Sequence, residues 1–231
     1  MNKNDEYKIK NSIEKLKRGK STNFLDIGKL KQLSYLLKKK EYNIYYPYED
    51  SEKVILYTNI LPKIDIIKIN SNEELKHNEI LGSLFGLNID MDYIGDIIIE
   101  DNYYYIITLP TITKLILDNL NVIGNKLVTT ELSDINILNN YQKKYEDKEI
   151  IVSSLRIDNV ISKIISTSRT IVKDKIKNKE IILNYNILTN PTYVLQENDI
   201  FSIRRHGKYK FISIIKTTKK ENYIIKYQKY I

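Results

Sequence analysis

Apolar residues recur at helical spacing in two stretches near the start of the chain, Ile13 to Lys20 and Phe24 to Lys40. In the second, Leu25, Leu30, Leu33, Leu36 and Leu37 share one face while lysines take the exposed positions, which predicts an amphipathic helix. Lys38, Lys39 and Lys40 fall near its end, where cations suit the helix dipole. Tyr42 to Tyr48, interrupted by Pro47, predicts irregular structure, and Lys53 to Thr58 a strand.

From Lys63 strands and helices alternate. Lys63–Asn70 reads as a strand. Glu73–Leu87 reads as a helix with Leu75, Ile80, Leu81, Leu84 and Leu87 largely on one face and Gly86 near its end. Ile97–Glu100 and Tyr103–Thr108 read as strands joined across Asp101-Asn102, a hairpin signal. Pro110 opens a helix through Leu120, and Lys126–Leu132 closes the run as a strand. The order βαββαβ is that of a ferredoxin-like domain, which also houses modules that stack RNA bases on sheet aromatics. Strand alternation sets Tyr104 on the face opposite Tyr103 and Tyr105.

Asn139 to Glu149 is polar and aperiodic, so a linker is expected over 139–150. Beyond it the pattern predicts a helix over Asp158–Ile165, a break at Ser166-Thr167, and a second helix over Arg169–Lys177 with Ser168 as N-cap. A β segment over Glu180–Tyr185, a turn at Asn190-Pro191 and strands near Thr192–Leu195 and Ile200–Arg204 follow. The expected class is α+β. A mainly helical segment over 1–62 leads into the ferredoxin-like domain over 63–138, the linker, and a C-terminal module with a basic extension over 151–231.

Charge changes this picture from architecture to partner. Residues 1–48 carry 12 basic and 5 acidic side chains, 49–150 carry 9 and 18, and 151–231 carry 16 and 6, which sum to the net +8. An acidic middle therefore separates two basic ends, and the C-terminal end has the footprint of a polyanion binder. Only five of the 37 basic residues are Arg, and Arg156, Arg169, Arg204 and Arg205 all lie in that end. In a chain biased toward Lys, Ile, Asn and Tyr, a retained Arg points to its planar fork of donors, which grips phosphate or carboxylate where an ammonium is a point charge. In the second C-terminal helix, Lys173 and Lys177 stand four apart beside Arg169, a ridge able to seat a sugar–phosphate backbone. The −9 of the middle segment opposes a phosphate track there.

Other chemistries are poorly served. No Cys is present, which excludes disulfides and thiolate metal sites. No apolar run approaches the ~20 residues of a membrane span and the first residues are too polar for a signal peptide, so a cytoplasmic protein with no membrane partner is expected. His77 and His206 lack companions for a metal. Asp90 and Asp92 suit turn hydrogen bonds better than acid–base work, and Ser153 and Ser154 have no base. No Gly-rich phosphate loop is present, and neither a cofactor nor a metal is expected.

Arg156-Ile157-Asp158, Ser168-Arg169, Ile181-Ile182-Leu183-Asn184 and Asn198-Asp199-Ile200 together resemble the S4 RNA-binding domain. Lys179 and Asn198 replace glycines of that pattern. Upstream, His77-Asn78-Glu79-Ile80-Leu81-Gly82-Ser83-Leu84-Phe85-Gly86-Leu87-Asn88-Ile89 and Ile94-Gly95-Asp96-Ile97 are similar to a block of the YlmH-type S4 proteins, as are Phe24-Leu25-Asp26 and Arg205 to Phe211. Asn78 departs from the family's Arg. The resemblance implies a non-enzymatic bacterial RNA-binding protein that works with the large ribosomal subunit, ribosomal RNA and peptidyl-tRNA during rescue of stalled nascent chains. Arg156, Ser168, Arg169, Lys173, Lys177 and Asn184 would then grip RNA, with Arg204, Arg205, Lys208 and Lys210 extending the grip along a second edge. Asp158 would orient Arg156. The acidic middle domain is a place for a protein partner. An RNA-modifying enzyme bearing an S4 domain and a cell-division adaptor are the alternatives.

Overall fold

The computed structural model describes residues 3–37, 41–100, 102–139 and 141–231, so the expected end-of-helix lysines at 38–40 lie outside the described residues. Two compact units meet in sequence between Gln142 and Lys143.

The first unit opens with α1 (Lys3–Lys17), β1 (Leu25–Asp26), α2 (Ile27–Leu36), β2 (Asn43–Tyr45) and β3 (Lys53–Tyr57). α2 begins after Phe24 because the Asp26 carboxylate accepts the Lys29 amide at 2.8 Å as an N-cap, while Leu25 pairs with Val54 across the sheet. The stretch expected to be irregular forms β2 against β3, giving a three-stranded sheet ordered β1-β3-β2. Leu25, Leu33, Val54 and Leu56 bury together with Ile9 and Leu16 of α1.

The middle of that unit runs β4 (Asp65–Ser71), α3 (His77–Gly86), β5 (Ile94–Glu100), β6 (Tyr103–Thr108), α4 (Pro110–Asn119), β7 (Val122–Ile123) and β8 (Lys126–Ser133). The antiparallel sheet is ordered β5-β6-β4-β8-β7. Alternation divides its residues as period two requires. Ile67, Ile69, Tyr104 and Ile106 meet Ile80 and Leu84 of α3 and Ile116 of α4. Ile66, Ile98 and Ile107 face the other way, onto Phe24, Tyr48 and Ile55. Tyr104 is buried and its hydroxyl accepts the Leu75 amide at 3.0 Å, on the opposite face from the exposed Tyr103.

Packing accounts for Ile94-Gly95-Asp96-Ile97. A Cβ on Gly95 would lie 2.9 Å from the Phe24 ring and 3.0 Å from Ile107, so only glycine admits that close approach. Asp96 accepts the Tyr48 hydroxyl and, at 2.8 Å, the Glu52 amide. Lys8 bridges Asp90 and Asp92 at 2.9 and 2.8 Å, and Lys29 reaches Asp92 at 2.9 Å. The N-terminal segment and the βαββαβ core are thereby joined in one unit.

The second unit comprises β9 (Tyr145–Val152), α5 (Ile157–Ile164), α6 (Arg169–Lys177), β10 (Ile181–Leu183), β11 (Asn186–Ile187), β12 (Ile200–Ile203), β13 (Gly207–Thr217) and β14 (Tyr223–Tyr230). The expected linker is corrected here: residues 145–152 are a strand, paired with β14 from Tyr145↔Tyr230 to Val152↔Tyr223. Only its end reaches the core, through Ile150 and Val152, so its charged residues concealed the alternation. The expected strand near Thr192–Leu195 reduces to one bridge, Arg156↔Val194. The basic extension is a long hairpin of β13 and β14, in a sheet ordered β11-β10-β12-β13-β14-β9. Ile157, Val160 and Ile161 of α5 and Val172 and Ile176 of α6 cover one face, against Phe201, Tyr209, Phe211 and Ile225.

Both departures from the S4 glycines keep left-handed backbone, Lys179 at φ 60° and Asn198 at φ 69°. Asn adopts that region at lower cost than Lys. Lys179→Gly should therefore stabilise the second unit by about 1 kcal/mol, seen as a higher denaturant midpoint with an unchanged slope.

Candidate nucleic-acid interface

The connection from β9 into α5 brings Arg156 to the helix start, and the tight passage from α5 to α6 brings Arg169 to the first position of the next helix. Between them stands Asp158, whose side chain is 0% exposed. Arg156 donates from Nε to Oδ1 at 3.2 Å and from Nη2 to Oδ2 at 3.0 Å. Arg169 donates from Nη2 to the same Oδ2 at 2.8 Å. Burial alone would push the Asp158 carboxyl up, but the Arg156 and Arg169 hydrogen bonds overcome it and hold the group below the usual carboxylate range. The Arg156 and Arg169 side chains remain 36% and 44% exposed, so one buried anion fixes two side chains that are still partly open to solvent.

Helical spacing then sets Lys173 one turn beyond Arg169 and Lys177 one turn further, both exposed. Neither makes an ion pair among the described residues, whereas Lys175 is drawn aside to Glu180 at 3.0 Å. Ser168 caps α6 as expected, its hydroxyl oxygen accepting the Ile171 amide at 3.2 Å.

Asn184 is engaged within the unit: its Nδ2 donates to Asp199 at 2.7 Å and its Oδ1 accepts the Ile200 amide at 3.0 Å, so both ends of the amide brace the β10–β11 turn. Asp199 also accepts the Gln196 amide at 2.8 Å. The Asn184 and Asp199 motifs thus hold each other.

The remaining four cations do not continue the ridge as one edge. Arg204 and Arg205 sit on the exposed β12–β13 turn, where the Arg204 amide donates to the Glu180 carbonyl at 2.9 Å. Lys208 and Lys210 project from β13 onto the sheet face opposite the helices, since their neighbours Tyr209 and Phe211 enter the core. Lys208 lies 5.0 Å from the Tyr185 ring and 4.9 Å from the Tyr230 ring. Sequence reasoning missed those two tyrosines. The signal was the Lys-Tyr-Lys-Phe alternation at 208–211, which assigns faces once it is read as a strand.

Residues 63–137 match the family described as "Putative RNA-binding domain in YlmH". The middle domain is similar to that of YlmH-type proteins. Over 153 residues the chain is also 27% identical to the ribosome-associated protein quality control protein P2 of Bacillus subtilis (strain 168), covering 66% of this chain. The chain spans about 60% of that relative's length. The solved structure of cell division protein ylmH from Streptococcus pneumoniae aligns at 20% identity and a TM-score of 0.49, over 59% of this chain and 95% of that one. The YlmH-type resemblance carried by the motifs is thus shown. Among the described residues no helix is long and apolar enough to cross a membrane.

Because its folded carboxyl is held low, Asp158 contributes stability that is complete above its unfolded value, near about 4. That contribution drains away as pH falls through the folded value. Thermal melts from neutral pH downward should show the second unit weakening below about pH 4, and Asp158→Asn should flatten that acid limb.

Proposed function

We propose that this protein is a non-enzymatic RNA-binding protein whose second unit is an S4 module joined to a ferredoxin-like middle domain, and that it docks structured RNA through the Arg156–Arg169–Lys173–Lys177 ridge. The observation that carries this reading is the pair of guanidiniums held on one buried carboxylate at the head of a lysine-bearing helix. The unit's charge supports it, with 19 basic against 9 acidic side chains over 143–231. A ridge of this kind positions a sugar–phosphate backbone, and the shape of the folded RNA supplies specificity. The B. subtilis relative is named for ribosome-associated quality control. By that likeness the RNA is ribosomal RNA or tRNA on the large subunit, with peptidyl-tRNA present, during rescue of stalled nascent chains.

The middle domain adds a second contact of another kind. Its family is described as RNA-binding, yet residues 63–137 carry 5 basic and 12 acidic side chains. At the exposed end of the sheet face away from α3 and α4, Lys68 pairs with Glu131 at 3.3 Å and lies 5.9 Å from the Tyr103 ring. Such a surface suits a protein partner or an unpaired base on Tyr103, not a phosphate track.

Arg169→Ala should weaken binding to a structured ribosomal RNA fragment and reduce the slope of log affinity against log salt by ~0.7 to 0.9 for the lost phosphate contact. An unchanged slope in a folded variant removes Arg169 from the interface. Asp158→Asn makes the protein one charge more positive, which by itself favours RNA. If Asp158 positions both arginines, affinity should nevertheless fall while the salt slope shows the loss of ordered contacts. Tighter binding would reduce Asp158 to a counter-charge.

A further inference from the structure

Ser153 and Ser154 follow the last residue of β9 and lie just ahead of Arg156, and the ridge described above makes no use of them. Their segment is fixed from both sides. Val152 pairs with Tyr223, the Leu195 amide donates to the Leu155 carbonyl at 3.0 Å, and the Ile157 amide donates to the Tyr193 carbonyl at 2.8 Å. Between those anchors, Asn159 of α5 reaches back to the two serines. Its Nδ2 donates to the Ser154 carbonyl at 2.9 Å, to Ser153 Oγ at 3.2 Å and, more weakly, to Ser154 Oγ at 3.4 Å.

The Ser154 carbonyl decides what this amide does to the hydroxyls. A carbonyl oxygen only accepts, so the end of the Asn159 amide that faces it is the NH2 group and not the oxygen. An amide NH2 donates and does not accept, so both serine oxygens take hydrogen from it. Each hydroxyl keeps its own proton, which cannot point back along the incoming N–H. Asn159 is buried, so turning its amide over would leave polar atoms unmatched away from water. Ser153 is exposed and Ser154 half-buried, and among the described residues neither Oγ donates a hydrogen bond.

Two hydroxyls committed as donors call for an acceptor oxygen. Two residues of chain keep Ser154 within about 7 Å of Arg156, Cα to Cα. Arg156 is one of the two cations that Asp158 holds at the start of α5. The acceptor that belongs beside those cations is a phosphate oxygen, and serine hydroxyls are among its usual partners in nucleic-acid interfaces.

We propose that Ser153 and Ser154 are neutral RNA-binding residues that donate to a backbone phosphate next to the one gripped by Arg156, with Asn159 as the positioning residue that turns their protons outward. The inference rests on the reading of the second unit as RNA-binding and lengthens that interface from the start of α5 toward β9. Because these donors carry no charge, they add affinity without releasing counterions, and their contribution survives salt that weakens the arginines and lysines.

The test uses the full chain with a structured ribosomal RNA fragment and its fully 2′-fluoro counterpart, which keeps the phosphates and removes the ribose hydroxyls. Ser153→Ala and Ser154→Ala should each lower affinity about two- to tenfold, the usual contribution of a neutral hydrogen bond, with melting temperature and salt slope unchanged. Ser153→Thr keeps the hydroxyl and should keep the affinity. The losses should be equal on the 2′-fluoro fragment. In an Asn159→Ala background both serine substitutions should matter less, and full additivity there overturns the role of Asn159. If that variant does not fold, Ser153→Ala against Ser153→Thr decides. Affinity indifferent to both alanine substitutions, lost equally with Ser153→Thr, lowered only along with the melting temperature, or lowered only on the fragment with ribose hydroxyls overturns the inference. In each case binding that still falls with Arg169→Ala leaves the function proposed above standing. A parent that does not bind the fragment overturns both.

Discussion

A carboxylate removed from water and answered by two guanidiniums is the constraint around which the second unit is arranged. Desolvating Asp158 without Arg156 and Arg169 would be costly, because a buried carboxylate needs both a counter-charge and hydrogen-bond donors. The same three residues tie the start of α5 to the start of α6, so the relation between the helices and the presentation of their cations are one interaction. An exposed ion pair would contribute little to either. With one partner fully buried, the geometry of the cations is set before any ligand arrives, which lowers the ordering cost of binding.

The first unit solves a different problem with similar chemistry. Its N-terminal helices have too little apolar surface to form a core alone, and they are fastened to the βαββαβ sheet by Phe24 over Gly95 and by Lys8 and Lys29 converging on Asp92. Lys53, deeply placed, has its pKa lowered by burial, opposed by nearby carboxylates, and donates to the carbonyls of Met91 and Ile94 at 3.0 and 2.6 Å. The acidic pair Asp90 and Asp92 therefore serves as the receiving end of a lysine latch, a structural use for residues that could be mistaken for a catalytic dyad.

The elements most legible in the sequence were those whose apolar pattern and boundary chemistry agree. α6 with its Ser168 cap and α4 behind Pro110 are such cases, and the alternation that buries Tyr104 is another. The strands of the second unit were harder. β9 meets the core only at one end, and β13 carries two register shifts that break its alternation. β9 therefore looked like connecting chain, and β13 was read only as part of a basic extension. The candidate residues divided in the same way. Arg169, Lys173 and Lys177 could be placed together because a helix fixes their spacing, whereas Lys208 and Lys210 depended on knowing which strand they occupied and which side the helices cover. Asn184 was singled out only through the S4 resemblance, and its amide holds a turn in the structure.

The charged run Glu146-Asp147-Lys148-Glu149 gains a meaning from where β9 lies. β9 is the outermost strand of its sheet, and Val152 pairs with a residue about seventy positions later in the chain. During synthesis its backbone cannot pair until β14 has emerged, and once folded it has a neighbouring strand on one side only of its sheet. Alternating charges on both faces make that edge a poor template for a neighbour's strand, and this guards a slow-closing sheet against sticking to its copies.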